Sequence, residues 1–293
     1  MEASFLFSQF LGGLTTAMFL FLIASGLSLI FGVLRVLNFA HGSFYMLGAY
    51  LAWQMVRWVQ PVAEGFWLAA LGAALAIAVL GALIERAFLR FLYNREELYQ
   101  LLLTYALVLI LGDAAKLLWG TQPLSVSRPP VLAGSQQWFG ATVPDYNLFV
   151  IVAGPLVALA VWLTLTRTSL GRMVRAAALD REMLDALGAN VGFIYTAMFV
   201  LSSFLAGLSG ALVTPIASVV PGMDVEIIVQ AFIVVVIGGL GSFWGTFWGS
   251  VIYGQVLSFG ILIFPGFSLF SVFALMAVIL IIRPWGLFGR PLR

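Results

Sequence analysis

The 293-residue chain has no cysteine, a single histidine and few charges. Without cysteine there is neither a disulfide framework nor a thiolate metal site. One histidine, with no HExxH pair and no obvious nucleophile beside a base, leaves little from which to build an intramembrane enzyme, so neither catalytic residues nor metal ligands are expected. Charged residues make up 9% of the chain, against about 25% in an ordinary soluble domain. The formal charge of +2 is too small to argue for a nucleic-acid partner. Also missing is any polar stretch long enough to form a separate soluble domain.

What fills the chain instead is apolar sequence, 62% hydrophobic with a mean hydropathy of +1.09. A membrane-crossing helix needs about 20 such residues. Windows of that kind recur from Phe5 to Ile282, near 5–33, 39–58, 66–90, 98–119, 147–166, 191–214, 227–242, 245–264 and 268–283. The expected fold is all-α, a polytopic transmembrane helical bundle with the lipid bilayer as its solvent, forming one domain over residues 1–293. Nine segments cross on this count, or eight if one short segment is re-entrant. The N-terminus carries Glu2 and no Lys or Arg, and the apolar run after it is too long for a signal-peptide core. It reads as a retained first span.

Short cytoplasmic loops retain Lys and Arg. Arg35, Arg86, Arg90, Arg95, Arg167, Arg172, Arg175, Arg181, Arg283, Arg290 and Arg293 fall on one side of the expected topology, against Arg57, Lys116 and Arg128 on the other. That puts the C-terminus inside and the N-terminus outside. The outer loop at 120–147 is rich in Pro, Ser, Gln and Gly, with Trp138, Phe139 and Tyr146 as interfacial aromatics. It reads either as a surface for an external partner or as a solvated connector.

Between long apolar stretches lies one polar island, RTSLGRMVRAAALDREMLDALGAN, from Arg167 to Asn190. Asp180 is suited to cap a short helix over about Arg181 to Leu187, closed by Gly188. On that helix Met183, Leu184 and Leu187 make an apolar side while Arg181, Glu182 and Asp185 face elsewhere. The pattern suits a helix laid into a partner's groove, or alternatively one lying on lipid headgroups.

Polar residues in hydrocarbon are costly unless satisfied, so a polar cluster at a span junction is a candidate site. RVLNFAHGS brings Asn38, His41, Gly42 and Ser43 to the junction of the first two spans. Gly42 would permit a backbone break lining a cavity, as in discontinuous transporter helices. The competing reading is a tight interhelical turn with His41 satisfied by a nearby carbonyl. A second series, Gly238, Gly239, Gly241, Gly245 and Gly249 in GGLGSFWGTFWGS, lacks the Gly-Lys-Ser/Thr of a phosphate loop, so close helix packing and a turn are expected. Glu85 with Arg86, and Asp113 with Lys116, are placed to pair or snorkel near span ends. The sequence shows no carboxylate clearly at a bilayer centre, which weighs against a proton-coupled carrier.

GLSLIFGVLRVLNFAHGSFYMLGAY (26–50), RAAALDREMLDALGANV (175–191), FLAGLSGAL (204–212), GGLGSFWGTFWGS (238–250) and RPWGLFG (283–289) together resemble the branched-chain amino acid permease family of bacterial ABC importers. The resemblance implies a multi-pass inner-membrane subunit. Its implied partners are a second, similar permease, two cytoplasmic ATP-binding subunits and an external substrate-binding protein. ATP and Mg are used by those partners, and this chain binds no cofactor. In ABC importers a cytoplasmic coupling helix carries an EAA-x-x-x-G signature. Glu182 and Gly188 keep its six-residue offset, with Met183 and Leu184 where the alanines stand. The resemblance therefore assigns Asp180 to Asp185, Leu187 and Gly188 to ATPase coupling. It assigns Asn38, His41, Gly42 and Ser43 to the substrate pathway or its gate. Transport would proceed by alternating access. Urea or short amides are alternative substrates, and a partner-independent secondary carrier or channel is the alternative mechanism.

Overall fold

A computed structural model describes residues 3–34, 36–59, 65–93, 95–263 and 265–289. Glu2, Arg35, Arg290 and Arg293 of the charge pattern lie outside them. Eleven α-helices occur among the described residues: α1 Ala3–Leu34, α2 Ala40–Val59, α3 Gly65–Ala87, α4 Glu97–Trp119, α5 Asp145–Arg167, α6 Ser169–Leu179, α7 Arg181–Ala186, α8 Val191–Val213, α9 Met223–Gly238, α10 Phe243–Ile263 and α11 Ser268–Ile282. One antiparallel hairpin, β1 Ser135–Trp138 with β2 Ala141–Pro144, interrupts the loop between α4 and α5.

Five helices have both the length and the apolarity to cross a bilayer: α1, α3, α4, α5 and α8. The consecutive pair α9 and α10 passes the same test jointly but bends by 117° between its halves, as a broken span or a re-entrant loop, giving up to six. The expected eight or nine segments are not all matched by helices of that kind. α9 and α11 have only 16 and 15 residues, short of the roughly 20 needed to span. α2 has the length, but it carries His41, Gln54 and Arg57. Its position accounts for that composition. Every residue from Ala40 to Tyr50 is buried, enclosed by α3, α4, α8 and α9, so helices rather than lipid surround this half of α2.

Small residues permit the enclosure. In a membrane there is little hydrophobic drive between helices, and close backbone approach supplies packing instead. At Gly48 of α2 an added Cβ would lie 2.6 Å from the Gly207 Cα of α8, and at Gly210 it would lie 2.8 Å from the Tyr45 carbonyl carbon. α1 packs along α5, α8, α9 and α10 and closes the other side of the core. With 32 residues α1 is about 48 Å long at 1.5 Å per residue, well beyond the ~30 Å of hydrocarbon. Its first turns therefore reach the hairpin, where Phe7 meets Phe139 edge to face at 5.3 Å.

The hairpin turns through Phe139 and Gly140, both at positive φ, the geometry that matches the twist of a two-residue connection. It marks one end of the bundle, the hairpin end. Trp138 and Phe139 are exposed there, whereas Tyr146, expected at an interface, is fully buried and donates from its hydroxyl to the Leu212 carbonyl at 2.7 Å. The opposite end carries Arg90, Arg167, Arg172, Arg175 and Arg181 and is called the arginine end.

Candidate functional site

Asn38 lies in the short non-helical link before α2, whereas His41, Gly42 and Ser43 are helical, so the chain is not unwound at Gly42. α2 has already begun at Ala40, and the amides of His41 and Gly42 bond back to the carbonyls of Asn38 and Phe39, each at 3.3 Å. All four candidates are buried. The carbonyl of Ile23 can only accept, so His41 donates to it from Nε2–H at 2.9 Å, tying α2 to α1. Ser43 donates to Asp224 Oδ2 at 2.9 Å, tying α2 to α9. Gly42 does not bend the chain. It clears room for α9, whose Asp224 carbonyl and Ile228 side chain occupy the space a Cβ would need. Among the described residues, the two amide atoms of Asn38 and Nδ1 of His41 have no partner. The result is a three-helix junction held by two long-range side-chain bonds.

Beside this junction, towards the hairpin end, lies a cavity of about 500 Å³. None of Asn38, His41, Gly42 or Ser43 lines it, but Tyr45, one half-turn further along α2, does. Its polar lining includes Thr15, Thr16, Tyr45, Asn147, Ser218, Glu226 and Gln230, and its apolar lining residues such as Phe19, Leu20 and Ile227. Glu226 and Gln230 stand one turn apart on α9, with Gln230 Nε2 donating to Glu226 Oε1 at 3.2 Å. These two, and Asp224, were not singled out by sequence reasoning because PGMDVE falls in the gap between two apolar windows. The i, i+4 spacing of Glu226 and Gln230 at the start of an apolar helix was the available signal.

The glycine series builds the bend between α9 and α10. Gly239 and Gly241 hold positive φ, which L side chains rarely adopt. Gly238 and Gly245 bring the two backbones together, and a Cβ at Gly249 would lie 2.6 Å from the Val234 carbonyl oxygen. The chain's last described residues clasp this bend, with Leu287 N donating to the Ile237 carbonyl at 2.9 Å and Phe288 N to the Gly238 carbonyl at 3.0 Å.

At the arginine end, Asp180 ends α6 and caps α7, its Oδ1 accepting from Met183 N at 2.9 Å. α7 closes through Gly188, at positive φ, and Asn190 then caps α8 by accepting from Phe193 N. The six-residue separation of Glu182 and Gly188 thus spans one complete capped turn-helix-turn unit. Its apolar residues do not share one side. Leu184 packs partly on the cluster formed by α1, α5, α6 and α8, while Met183 and Leu187 are 60% and 76% exposed, continuing from Leu179 at 86%. Glu182 and Asp185 face Arg90 and Tyr93 across a groove of about 340 Å³.

Behind that groove, Glu85 is buried and does not pair with Arg86. Its carboxylate accepts from Tyr93 Oη at 2.8 Å and from Thr196 Oγ1 at 2.7 Å, joining α3 to α8. Burial, and then the adjacent Glu85, push the Tyr93 hydroxyl well above its ordinary pKa, so it stays a donor. Tyr93→Phe is therefore expected to leave a buried carboxylate one donor short and to destabilise the chain by about 1–3 kcal/mol, read as a lower melting temperature in detergent. Asp113 and Lys116 make an exposed i, i+3 ion pair at 3.0 Å, of little energetic weight. Among the described residues no group of three His, Cys, Asp or Glu side chains is placed to hold a metal.

Residues 9–282 match the family model described as the branched-chain amino acid transport system permease component. The chain is 29% identical over 295 residues to the high-affinity branched-chain amino acid transport system permease protein BraD of Pseudomonas aeruginosa, covering 97% of this chain and 95% of that protein. It is 28% identical to the corresponding LivH protein of Salmonella typhimurium, over 99% of this chain and 98% of the other. A probable branched-chain amino acid transport permease of Methanocaldococcus jannaschii is 25% identical over 83% of this chain and 77% of its own length.

Proposed function

Because the chain belongs to the family of branched-chain amino acid transport permease components, we propose that it is the membrane subunit of an ATP-driven importer carrying branched-chain or related amino acids across a bacterial inner membrane. The observation that carries this reading is the likeness to amino acid permeases along almost the full length of both chains. The working assembly comprises this chain, a second similar permease, two cytoplasmic subunits that bind and hydrolyse ATP with Mg, and an external binding protein that delivers the solute.

In this scheme the arginine end faces the cytoplasm and the hairpin end faces the binding protein, in keeping with the retention of arginine on the inner side. The N-terminus is then outside and the C-terminus inside, and α2, α9, α10 and α11 lie within the membrane alongside the five long spans. Helix α7, with Glu182 and Met183, together with Leu187 and Gly188 just after it, is the element on which an ATP-binding subunit grips, and its two caps support a preformed shape. The junction of Asn38, His41, Gly42 and Ser43 acts as a gate on the inner side of the cavity. The Ser43 to Asp224 bond supports this role because it joins α2 to α9, the helices that would have to part for solute to pass. The glycine bend supplies the packed corner about which α9 and α10 move together.

The test is co-purification from native membranes followed by reconstitution. Recovery with a second permease and two ATP-binding subunits, and solute uptake that requires ATP and the binding protein, is the expected result. Uptake into liposomes containing this chain alone would overturn the scheme in favour of a partner-independent carrier.

A further inference from the structure

The importer reading leaves open how a membrane domain handles the charged ends of its cargo, and the cavity at the hairpin end has an uneven charge. Among the described residues its lining includes one acid, Glu226, and no Lys, Arg or His. At about 500 Å³ it falls within the roughly 300–1,000 Å³ of small-molecule sites. Resting on that reading, we propose that Glu226 holds the ammonium group of the passing solute in this cavity, so that the passage itself selects for ammonium-bearing solutes and against free anions.

Two acids stand two residues apart on α9, and their surroundings divide their work. Asp224 is buried and engaged by Ser43. Glu226 is exposed to the cavity, and among the described residues only Gln230 is bonded to its carboxylate, on Oε1. That leaves acceptor capacity on the carboxylate of a residue that lines the cavity. An ammonium group has three N–H donors and no acceptor, so a carboxylate with spare acceptor capacity suits it. Among the described residues the lining offers a solute carboxylate neutral donors, among them the hydroxyls of Thr16 and Ser218. Phe19, Leu20, Val213 and Ile227 offer an apolar surface for a hydrocarbon side chain. An ionisable side chain within a membrane domain is costly to retain and marks a functional position by default.

The chain has no cysteine of its own, so a thiol placed in the cavity reports on local charge without interference from this subunit. In the reconstituted importer, Ser218→Cys is to be labelled with cationic 2-aminoethyl and with anionic 2-sulfonatoethyl methanethiosulfonate, and modification of this chain followed by mass spectrometry. Adding Glu226→Gln, which keeps the side chain's size, is expected to lower the ratio of cationic to anionic labelling rates by about five-fold or more, the scale for one charge at cavity distances in a partly aqueous medium. Glu226→Gln alone is expected to reduce ATP-driven uptake at least ten-fold, with Glu226→Asp recovering part of it and assembly unchanged. An unchanged labelling ratio would overturn the placement of Glu226 in the passage. A changed ratio with normal uptake would overturn its role in holding the solute. Labelling does not depend on transport, so the absence of ATP-driven uptake by the unmodified assembly would count against the importer reading and not against the charge of the cavity.

Discussion

Leu187→Asp is expected to abolish ATP-driven uptake while leaving the chain folded and inserted. Leu187 is 76% exposed and ends α7, so in the isolated chain a carboxylate at this position stays in water and costs little. If an ATP-binding subunit covers this residue, the same carboxylate must be stripped of water in an apolar contact. A buried unpaired charge is penalised by several kcal/mol, and each 1.4 kcal/mol is about a factor of ten in affinity, so binding should weaken by on the order of a hundred-fold or more. The measurement is paired: membrane insertion and monodispersity of the variant on one side, and retention of the ATP-binding subunits with uptake on the other. Normal uptake would remove α7 from the coupling role. Gly188→Ala serves as a milder companion. There is space around Gly188, but its φ of 83° disfavours any side chain by roughly 1–2 kcal/mol, so a graded loss is expected.

Gly48→Leu should fail in the opposite way, by preventing the bundle from closing. A Cβ at this position would lie 2.6 Å from Gly207 Cα, and its nearest neighbours are backbone atoms rather than a side chain that can turn aside. Inserting a whole side chain there drives α2 away from α8 along an interface rich in buried residues of both helices. Overpacking commonly costs ~1–3 kcal/mol and more where the backbone must move, so this substitution is expected at or above the upper end. The predicted result is loss of the monodisperse peak in detergent and sharply reduced levels in the membrane, with Gly48→Ala intermediate. Wild-type thermal stability in Gly48→Leu would show that the α2–α8 contact is looser than its geometry requires.

Helix positions were readable because apolar runs declare themselves. The expected windows at 98–119 and 191–214 correspond to Glu97–Trp119 and Val191–Val213, each bounded by a change in polarity. The capped unit around Asp180 and Gly188 was equally legible, because caps are local chemistry. Depth within the bundle was not. α2 and α11 both read as apolar segments, yet one is enclosed by helices and the other is a short outer helix, and periodicity carries no record of which neighbours surround a segment.

The same limit governed the site. His41 and Ser43 stood out as polar residues in apolar sequence, but their partners, the Ile23 carbonyl and Asp224, are 18 and 181 residues away. No local pattern reveals that those groups are already engaged. Tyr146 failed for the same reason, an amphipathic ring at a span boundary whose hydroxyl is consumed by Leu212 in the core. Glu226 was passed over because a window average treats a helix's first turn as the end of a loop.

The clasp of Leu287 and Phe288 on the α9–α10 bend sets an order of events during synthesis. Ile237 and Gly238 are inserted some fifty residues before the amides that bond to them have been made. The bend must therefore wait, held by its own glycine contacts, until Leu287 and Phe288 leave the ribosome. A ribosome stalled within α11 would expose an unlatched corner, and it is there that a quality-control protease or an insertion chaperone would find its opportunity.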